Sequence, residues 1–428
     1  MSEFKIETKC IQSGYTPKNG EPRVLPIYQS TTYRYESASL LGDLFDLKAP
    51  GHMYSRISNP TDDAVEKKIA DLEGGTGAVL TCSGQAANLL AILNITSAGQ
   101  NIVSLSSIYG GTINLFAVTL KRLGIDVRFV SSDMSDEEIE SHFDENTRLF
   151  FGETIANPAL TVLDIERFAN LAHRKHVPLV VDNTFATPIL CRPFEFGADI
   201  VVHSTTKYMD GHAQVVGGVV VDGGKFDWSV DGKYPEITTP DESYHGVTYS
   251  EQFGMEHAYY TKMRVQRVQL VRDFGVALPP ICAYLLNLGL ETLPFRMKQH
   301  CENALRVAEY LKSSDKVAWI SYPSLPDDPQ HALAEKYLPK GCCGVISFGV
   351  KGGRETAMKV MDSLKLAQIV VHVADSRTSV LHPASTTHRQ LTDDQLIAAG
   401  VLPEQIRLSV GVENADDIIA DLEQALNA

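Results

Sequence analysis

The segment His203-Ser204-Thr205-Thr206-Lys207 follows the apolar run Ala198-Asp199-Ile200-Val201-Val202, an order that places a lysine just past the C-terminal end of a buried strand. Ligands in open α/β sheets collect at that edge. An amine held partly away from water has a lowered pKa and becomes a nucleophile toward an aldehyde carbon. Ser204 and Thr206 precede it at alternating positions, as expected of hydroxyls that hold a phosphate. Taken alone, Ser-x-Thr-Lys describes a solvated turn lysine at least as well. One unit upstream, Val177-Pro178-Leu179-Val180-Val181 reads as another buried strand, ending in Asp182-Asn183-Thr184. A carboxylate there would keep a protonated ring nitrogen charged, although a lone aspartate in that place is more often an N-cap or turn residue. Lysine and aspartate on neighbouring strand ends carry more weight than either alone.

The elements that must position them follow from the pattern. Asn59-Pro60-Thr61-Asp62-Asp63 opens a helix with an N-cap, a proline at N1 and acids in the first turn; Val65, Ile69 and Leu72 give it one apolar face, and Gly74-Gly75 ends it. Ser83-Gly84-Gln85 stands where a short strand turns into an apolar helix, so backbone N–H groups and the helix dipole can converge on an anion. Strand-like segments at 102–105, 127–130, 148–152, 178–181, 200–203 and 219–221 are mostly separated by helix-like ones, including 112–123 and 164–176. Ser135-x-x-Glu138 supplies a capping box between two of them. This alternation predicts an α/β fold with a largely parallel sheet covered on both faces. No G-x-G-x-x-G follows the first strand, which argues against a nicotinamide-binding domain. Pro279-Pro280 and a helical stretch over 281–312 lead into a second unit with strand-like segments at 345–350, 369–373 and 406–410 and helices at 354–366 and 414–427. The domain reading is therefore an arm over 1–58, rich in proline and glycine, a large domain over 59–278 and a C-terminal domain over 279–428.

The motifs Tyr54-Ser55-Arg56 with Asn59-Pro60-Thr61, Ser83-Gly84-Gln85-Ala86, Tyr109-Gly110-Gly111-Thr112, Asn157-Pro158, Val181-Asp182-Asn183-Thr184, Ser204-Thr205-Thr206-Lys207-Tyr208, His382-Pro383-Ala384-Ser385-Thr386-Thr387-His388 and Arg407-Leu408-Ser409-Val410-Gly411 run in order over nearly the whole chain. With them the sequence resembles the pyridoxal-phosphate enzymes of cysteine and methionine metabolism, and within these the O-acetylhomoserine sulfhydrylases. The resemblance implies pyridoxal-phosphate fold type I, the aspartate aminotransferase-like fold, with a large mostly parallel sheet domain and a smaller C-terminal α/β domain.

It also implies roles. Lys207 would hold pyridoxal 5'-phosphate as a Schiff base, with Asp182 at the ring nitrogen and Gly84, Gln85, Ser204 and Thr206 around the phosphate. Tyr109 would stack on the ring and Asn157 bind its phenolic oxygen and face the substrate. Arg407 would clamp the substrate carboxylate, supported by Thr378. Tyr54 and Arg56 would reach from the arm into a neighbouring subunit's phosphate site, and Tyr54 and Tyr109 would assist proton transfer. The implied reaction is γ-replacement on O-acetyl-L-homoserine by sulfide, another thiol or a sulfur-carrier protein, giving L-homocysteine and acetate. A methionine or homocysteine γ-lyase and a cystathionine γ-synthase are the alternatives. A site shared between subunits requires a dimer, and the family is commonly a tetramer. The insertion over 225–246 and the segment 389–400 look sulfhydrylase-like, and the insertion is expected near the site entrance. Two departures stand out: His52 where an aromatic is usual, and Ala374-Asp375-Ser376 where a glycine is expected.

Composition narrows the partners. Among 428 residues, 38 basic against 53 acidic give a net charge of −15, with no basic face for nucleic acid. Seven scattered cysteines without CxxC spacing read as reduced thiols, and no signal-peptide pattern or membrane-length apolar run is visible, so a cytoplasmic protein is expected. His382 and His388 lack a third ligand at metal-binding spacing, and no metal is expected.

Overall fold

Short runs rich in valine and isoleucine become the strands of the larger sheet: β1 (Gly77–Thr81), β2 (Asn101–Leu105), β3 (Asp126–Val130), β4 (Thr147–Glu153), β5 (Leu179–Asp182), β6 (Ile200–His203) and β7 (Gly218–Asp222). The computed structural model describes all residues except 1–3, 47, 243–245, 266–269, 387, 388 and 390–400. The strand order is β1-β7-β6-β5-β4-β2-β3, and only β7 runs against its neighbours. Its direction has a simple cause. A parallel connection needs a crossover of a dozen or more residues, usually helical, whereas the link from β6 to β7 is the irregular segment that carries Lys207. Every residue of β1, β2, β4, β5, β6 and β7 is buried, the pattern of a sheet covered on both faces. The other six strands point the same way, so the residues just beyond β1, β2, β4, β5 and β6 gather on one edge.

The expected helix after Asn59 forms as Pro60–Glu73, with the Asn59 side chain accepting from the Thr61 N–H and Gly74 closing it at φ 81°. Ser83 caps Gly84–Leu93, and Ser135 with Glu138 makes the capping box. The helix expected over 112–123 begins as Gly110–Asn114 and continues as a π turn, Leu115–Leu120.

A second sheet contains β8 (Val317–Ser321), β9 (Val345–Val350), β10 (Gln368–Ile369), β11 (Ser379–Leu381) and β12 (Gln405–Ser409) in the order β10-β11-β12-β9-β8. Only β10 and β11 pair in parallel. The strand expected over 369–373 stops at Ile369: the valines that follow line a cavity or face solvent, Val371 being 72% exposed, instead of packing in the sheet. The long helix Pro280–Ser313 spans about 50 Å at 1.5 Å per residue. At its Gly289 a Cβ would lie 2.4 Å from the Asp210 carbonyl oxygen and 2.5 Å from that of Met209, so the segment after Lys207 rests directly on helix backbone. None of the helices among the described residues is long and apolar enough to cross a membrane.

The arm makes contacts within its own chain, and one expectation needs correction. The first part of the arm, helix Ile6–Gln12, packs on its own chain: Cys10 is fully buried and Lys9 pairs with Asp71 at 2.9 Å. The insertion over 225–246 does not sit at the entrance in its described part. Trp228 stacks on Tyr259 with centroids 5.0 Å apart and meets Tyr234 edge-on at 5.2 Å. The Tyr234 hydroxyl donates to the Arg148 carbonyl at 2.9 Å, at the start of β4. Glu153, at the cavity end of that strand, is about 17 Å further along at 3.3 Å per residue. Four rings that must share one apolar pocket decide where the insertion goes. Trp228→Ala should therefore cost about 3–5 kcal/mol in chemical denaturation, while cofactor affinity, read by fluorescence titration, stays unchanged.

Candidate active site

On the edge where the parallel strands end, a cavity of about 230 Å³ collects Gly84, Gln85, Tyr109, Asn157, Asp182, Ser204, Thr206, Lys207 and Arg407, together with Ser83, Asn88, Thr112, Glu153, Thr184, Phe185, Val216, Val371 and Val373. At one end the helix Gly84–Leu93 presents its first turn, whose N–H groups have no partner within a helix. A Cβ on Gly84 would lie 2.6 Å from the Ser204 Cβ, so only glycine lets the two loops approach. The Ser204 N–H donates to Thr184 Oγ1 at 2.9 Å, and Thr206 exchanges hydrogen bonds with the Gly217 backbone at 3.0 and 3.1 Å. With the loops so fixed, the first-turn N–H groups of the helix are the donors that could meet an anion here.

Asp182 closes β5 at the other end. It is buried, and the Thr184 N–H at 3.0 Å and hydroxyl both donate to its Oδ1. Burial raises its pKa, with Thr184, His203 and Asn88 working against the rise. A cationic ring nitrogen beside it would reverse that desolvation penalty. Glu153, which reading of the sequence missed, pairs with Asp182 in strand register and is also buried. Its pKa is pushed well above the carboxylate range, first by burial and then by the charge of Asp182. Its Oε2 accepts from the Tyr109 N–H at 2.6 Å and so fixes the backbone that carries the exposed Tyr109 ring.

The positive side is equally unmatched. Arg407 reaches in from β12, donating Nη1 to Asn157 Oδ1 at 3.3 Å and Nη2 to the Val371 and His372 carbonyls at 3.2 and 3.3 Å. Its Nε has no partner, and among the described residues no carboxylate pairs with it. Burial lowers its pKa to about 10. An incoming carboxylate is the bidentate partner such a guanidinium lacks. Burial, with the charge of Arg407 adding and Asp375 opposing, brings the Lys207 amine down to about 8. It is then largely protonated at pH 7 and half neutral near pH 8. His372 Nδ1 lies 3.4 Å from its Nζ.

Three expected residues stand elsewhere. The Thr378 hydroxyl is used within the fold, donating to Glu413 at 2.9 Å and accepting from the Gly411 N–H at 2.9 Å, so it braces the end of β12 and does not face the cavity. Tyr54 and Arg56 lie together in the arm, the guanidinium 5.2 Å from the ring centroid, outside this chain's own cavity. His382 places its ring nitrogens on Ser385 and the Pro403 carbonyl, at 2.8 and 2.7 Å. His388 and 390–400 lie outside the described residues. Ala374 has φ 68°, the left-handed region where glycine costs least, which accounts for the glycine expected there.

An anion cradle, a buried carboxylate and a half-buried lysine on the strand ends of a mostly parallel sheet fit pyridoxal phosphate, and they define a fold type I pyridoxal-phosphate enzyme. The family model of Cys/Met metabolism PLP-dependent enzymes matches residues 7–427, and the chain belongs to that family. It is 45% identical to an O-acetyl-L-homoserine sulfhydrylase of Leptospira meyeri, covering 99% of this chain and 97% of that one. It is 46% identical to a homocysteine synthase of Schizosaccharomyces pombe, covering 98% of each. A solved structure from Campylobacter jejuni, described as an O-acetylhomoserine (thiol)-lyase with N'-pyridoxyl-lysine-5'-monophosphate, superposes with a TM-score of 0.94 at 36% identity, over 99% of this chain and 100% of that one.

Removing the acceptor at Glu153 should loosen the Tyr109 wall. Glu153→Ala is expected to weaken pyridoxal phosphate binding about tenfold, near the lower end of the roughly 1–3 kcal/mol that an unsatisfied donor costs, and Glu153→Gln to restore most of it in the same titration.

Proposed function

We propose that this enzyme performs γ-replacement on O-acetyl-L-homoserine with a sulfide donor, forming L-homocysteine and acetate. The observation that carries the reading is the convergence of Lys207, Asp182 and Arg407 on one cavity in a chain whose relatives bear sulfhydrylase and homocysteine synthase names. Bound pyridoxal phosphate supplies a ring that stabilises negative charge developing on the substrate's carbon skeleton.

The chain supplies position and proton transfer. Gly84, Gln85, Ser204 and Thr206 would hold the phosphate, Asp182 would sit at the ring nitrogen, and Tyr109 would lie against the ring. Lys207 would hold the aldehyde, and its Nζ, once free, would take the substrate's α-proton. Arg407, oriented by Asn157, fixes the α-carboxylate so that the γ-carbon and its acetate face the mouth near Val216 and Val371. Tyr109 and Tyr54 of a second copy assist proton transfer. The same reading makes residues 1–58 an arm that brings Tyr54 and Arg56 to a partner's phosphate site, with domains over 59–278 and 279–428, in a cytoplasmic homotetramer.

Lys207→Ala should lower turnover by at least a thousandfold and abolish the borohydride-stable link to the cofactor; retained activity would overturn the assignment. Purified enzyme given O-acetylhomoserine and sulfide should accumulate homocysteine, while 2-oxobutyrate or, with cysteine added, cystathionine as main product would favour the lyase or the cystathionine synthase instead. Shared sites have their own test. Mixing inactive Arg56→Ala and Lys207→Ala subunits under exchange conditions should regain up to about a quarter of wild-type activity, because one hybrid site then has both residues intact.

A further inference from the structure

Beyond the residues assigned above, the amine of Lys207 has one more neighbour. After Ile369 the chain leaves the second sheet and runs along the cavity mouth, where His372 Nδ1 comes within 3.4 Å of Lys207 Nζ, a long hydrogen bond. The other ring nitrogen, Nε2, lies 3.6 Å from Asp375 Oδ2, within ion-pair range and just beyond a hydrogen bond. Asp375 is buried and so is Nε2 itself, so the 22% exposure of the imidazole lies on the rest of the ring.

The segment is held at both ends. Ser376 donates its N–H and hydroxyl to the Gly211 carbonyl, at 3.0 and 2.7 Å, in the lysine loop. Ala374 donates its N–H to Ser409 Oγ at 2.8 Å on β12, and the His372 carbonyl accepts from Arg407. The groups that face the imidazole are Lys207 and Asp210 from the lysine loop, Arg407 from β12 and Asp375 from its own segment. Burial and the two cations lower its pKa, and the two carboxylates oppose them, so the ring is neutral at working pH. With its proton on Nε2 toward Asp375, the Nδ1 lone pair faces Lys207.

We propose that His372 relays protons for Lys207: the ammonium formed when Nζ takes the α-proton gives a proton to Nδ1, and the imidazolium, steadied by Asp375 beside the buried Nε2, passes that proton from Nδ1 to water at the mouth. One Nζ–H bond breaks and one Nδ1–H bond forms, then that Nδ1–H bond breaks toward water, so that the imidazole regains its first tautomer and the lysine is again a neutral base. The reverse order returns a proton to carbon. The relay rests on Lys207 being the base in the reaction above. His372 acts through that lysine and is a positioning residue in this sense.

The first test uses the cofactor-free protein. With histidine rings followed by NMR against pH, Lys207→Ala should move the His372 midpoint upward, because a neighbouring cation is gone; an unmoved midpoint would overturn the contact. The second uses the holoenzyme and L-alanine, which has no leaving group, in deuterated water. His372→Asn should slow α-proton exchange at least tenfold and remove the acid limb of its pH profile, with added imidazole restoring part of the rate. Asp375→Asn should move that limb to lower pH. If His372→Asn keeps wild-type exchange and an unchanged profile, the relay is wrong. Should the asparagine variant fail to fold, His372→Gln is read against the same two outcomes. Wild-type exchange without homocysteine formation would sink the proposed replacement reaction and leave the relay standing.

Discussion

Catalysis in this chain depends on how the irregular segment between β6 and β7 is held. Arg296, buried on the long helix, donates to the Tyr208 carbonyl at 2.7 Å and to the Gly289 carbonyl of its own helix at 2.6 Å. Tyr208 in turn accepts the Gly344 N–H at 2.8 Å beside β9 and meets His300 edge-on. A guanidinium taken out of water costs several kcal/mol, and charge-assisted bonds to carbonyls, each worth about 1.5–3 kcal/mol, offset that cost only in this one arrangement. The residue directly after Lys207 is thereby tied to the helix and to the second sheet. The lysine is placed by the junction of the two sheets and not by its own loop.

That junction explains the charge layout. Carboxylates reach the cavity from β4 and β5 of the first sheet, and the guanidinium from β12 of the second, where no carboxylate among the described residues pairs with it. Direct neutralisation would leave nothing for a ligand to complete. An amino-acid substrate with an anionic and a cationic end, next to an anionic cofactor with a basic ring nitrogen, supplies the missing partners at each position.

What the sequence disclosed and what it concealed differ by the range of the interaction. Lys207, Asp182 and Gly84 were legible because each follows an apolar run that can only be a buried strand, and a strand's end fixes where the next residue points. Glu153 stayed hidden because the run before it was ended one residue early, at Gly152; an acid terminating a strand beside Asp182 was the available signal. His372 was masked by Ile369-Val370-Val371, whose β-branched composition suits a strand, while exposure of Val371 depends on a cavity no local pattern announces. Phe226, Trp228 and Tyr234 of the insertion showed that it needed an apolar pocket, but not which rim of the sheet held it. β11 has only three residues, β8 is buried only at Val317, and both are stabilised by partners far away in sequence, so their composition gave no warning.

The solitary buried guanidinium on β12 also links occupancy to endurance. A folded state that carries an unanswered cation is relieved by any small carboxylate that enters, and a ligand bound only by the native form at a hundred times its dissociation constant adds about 2.7 kcal/mol. Amino acids too inert to react would thus protect the protein against heat, and the molecule is at its most durable while it is at work.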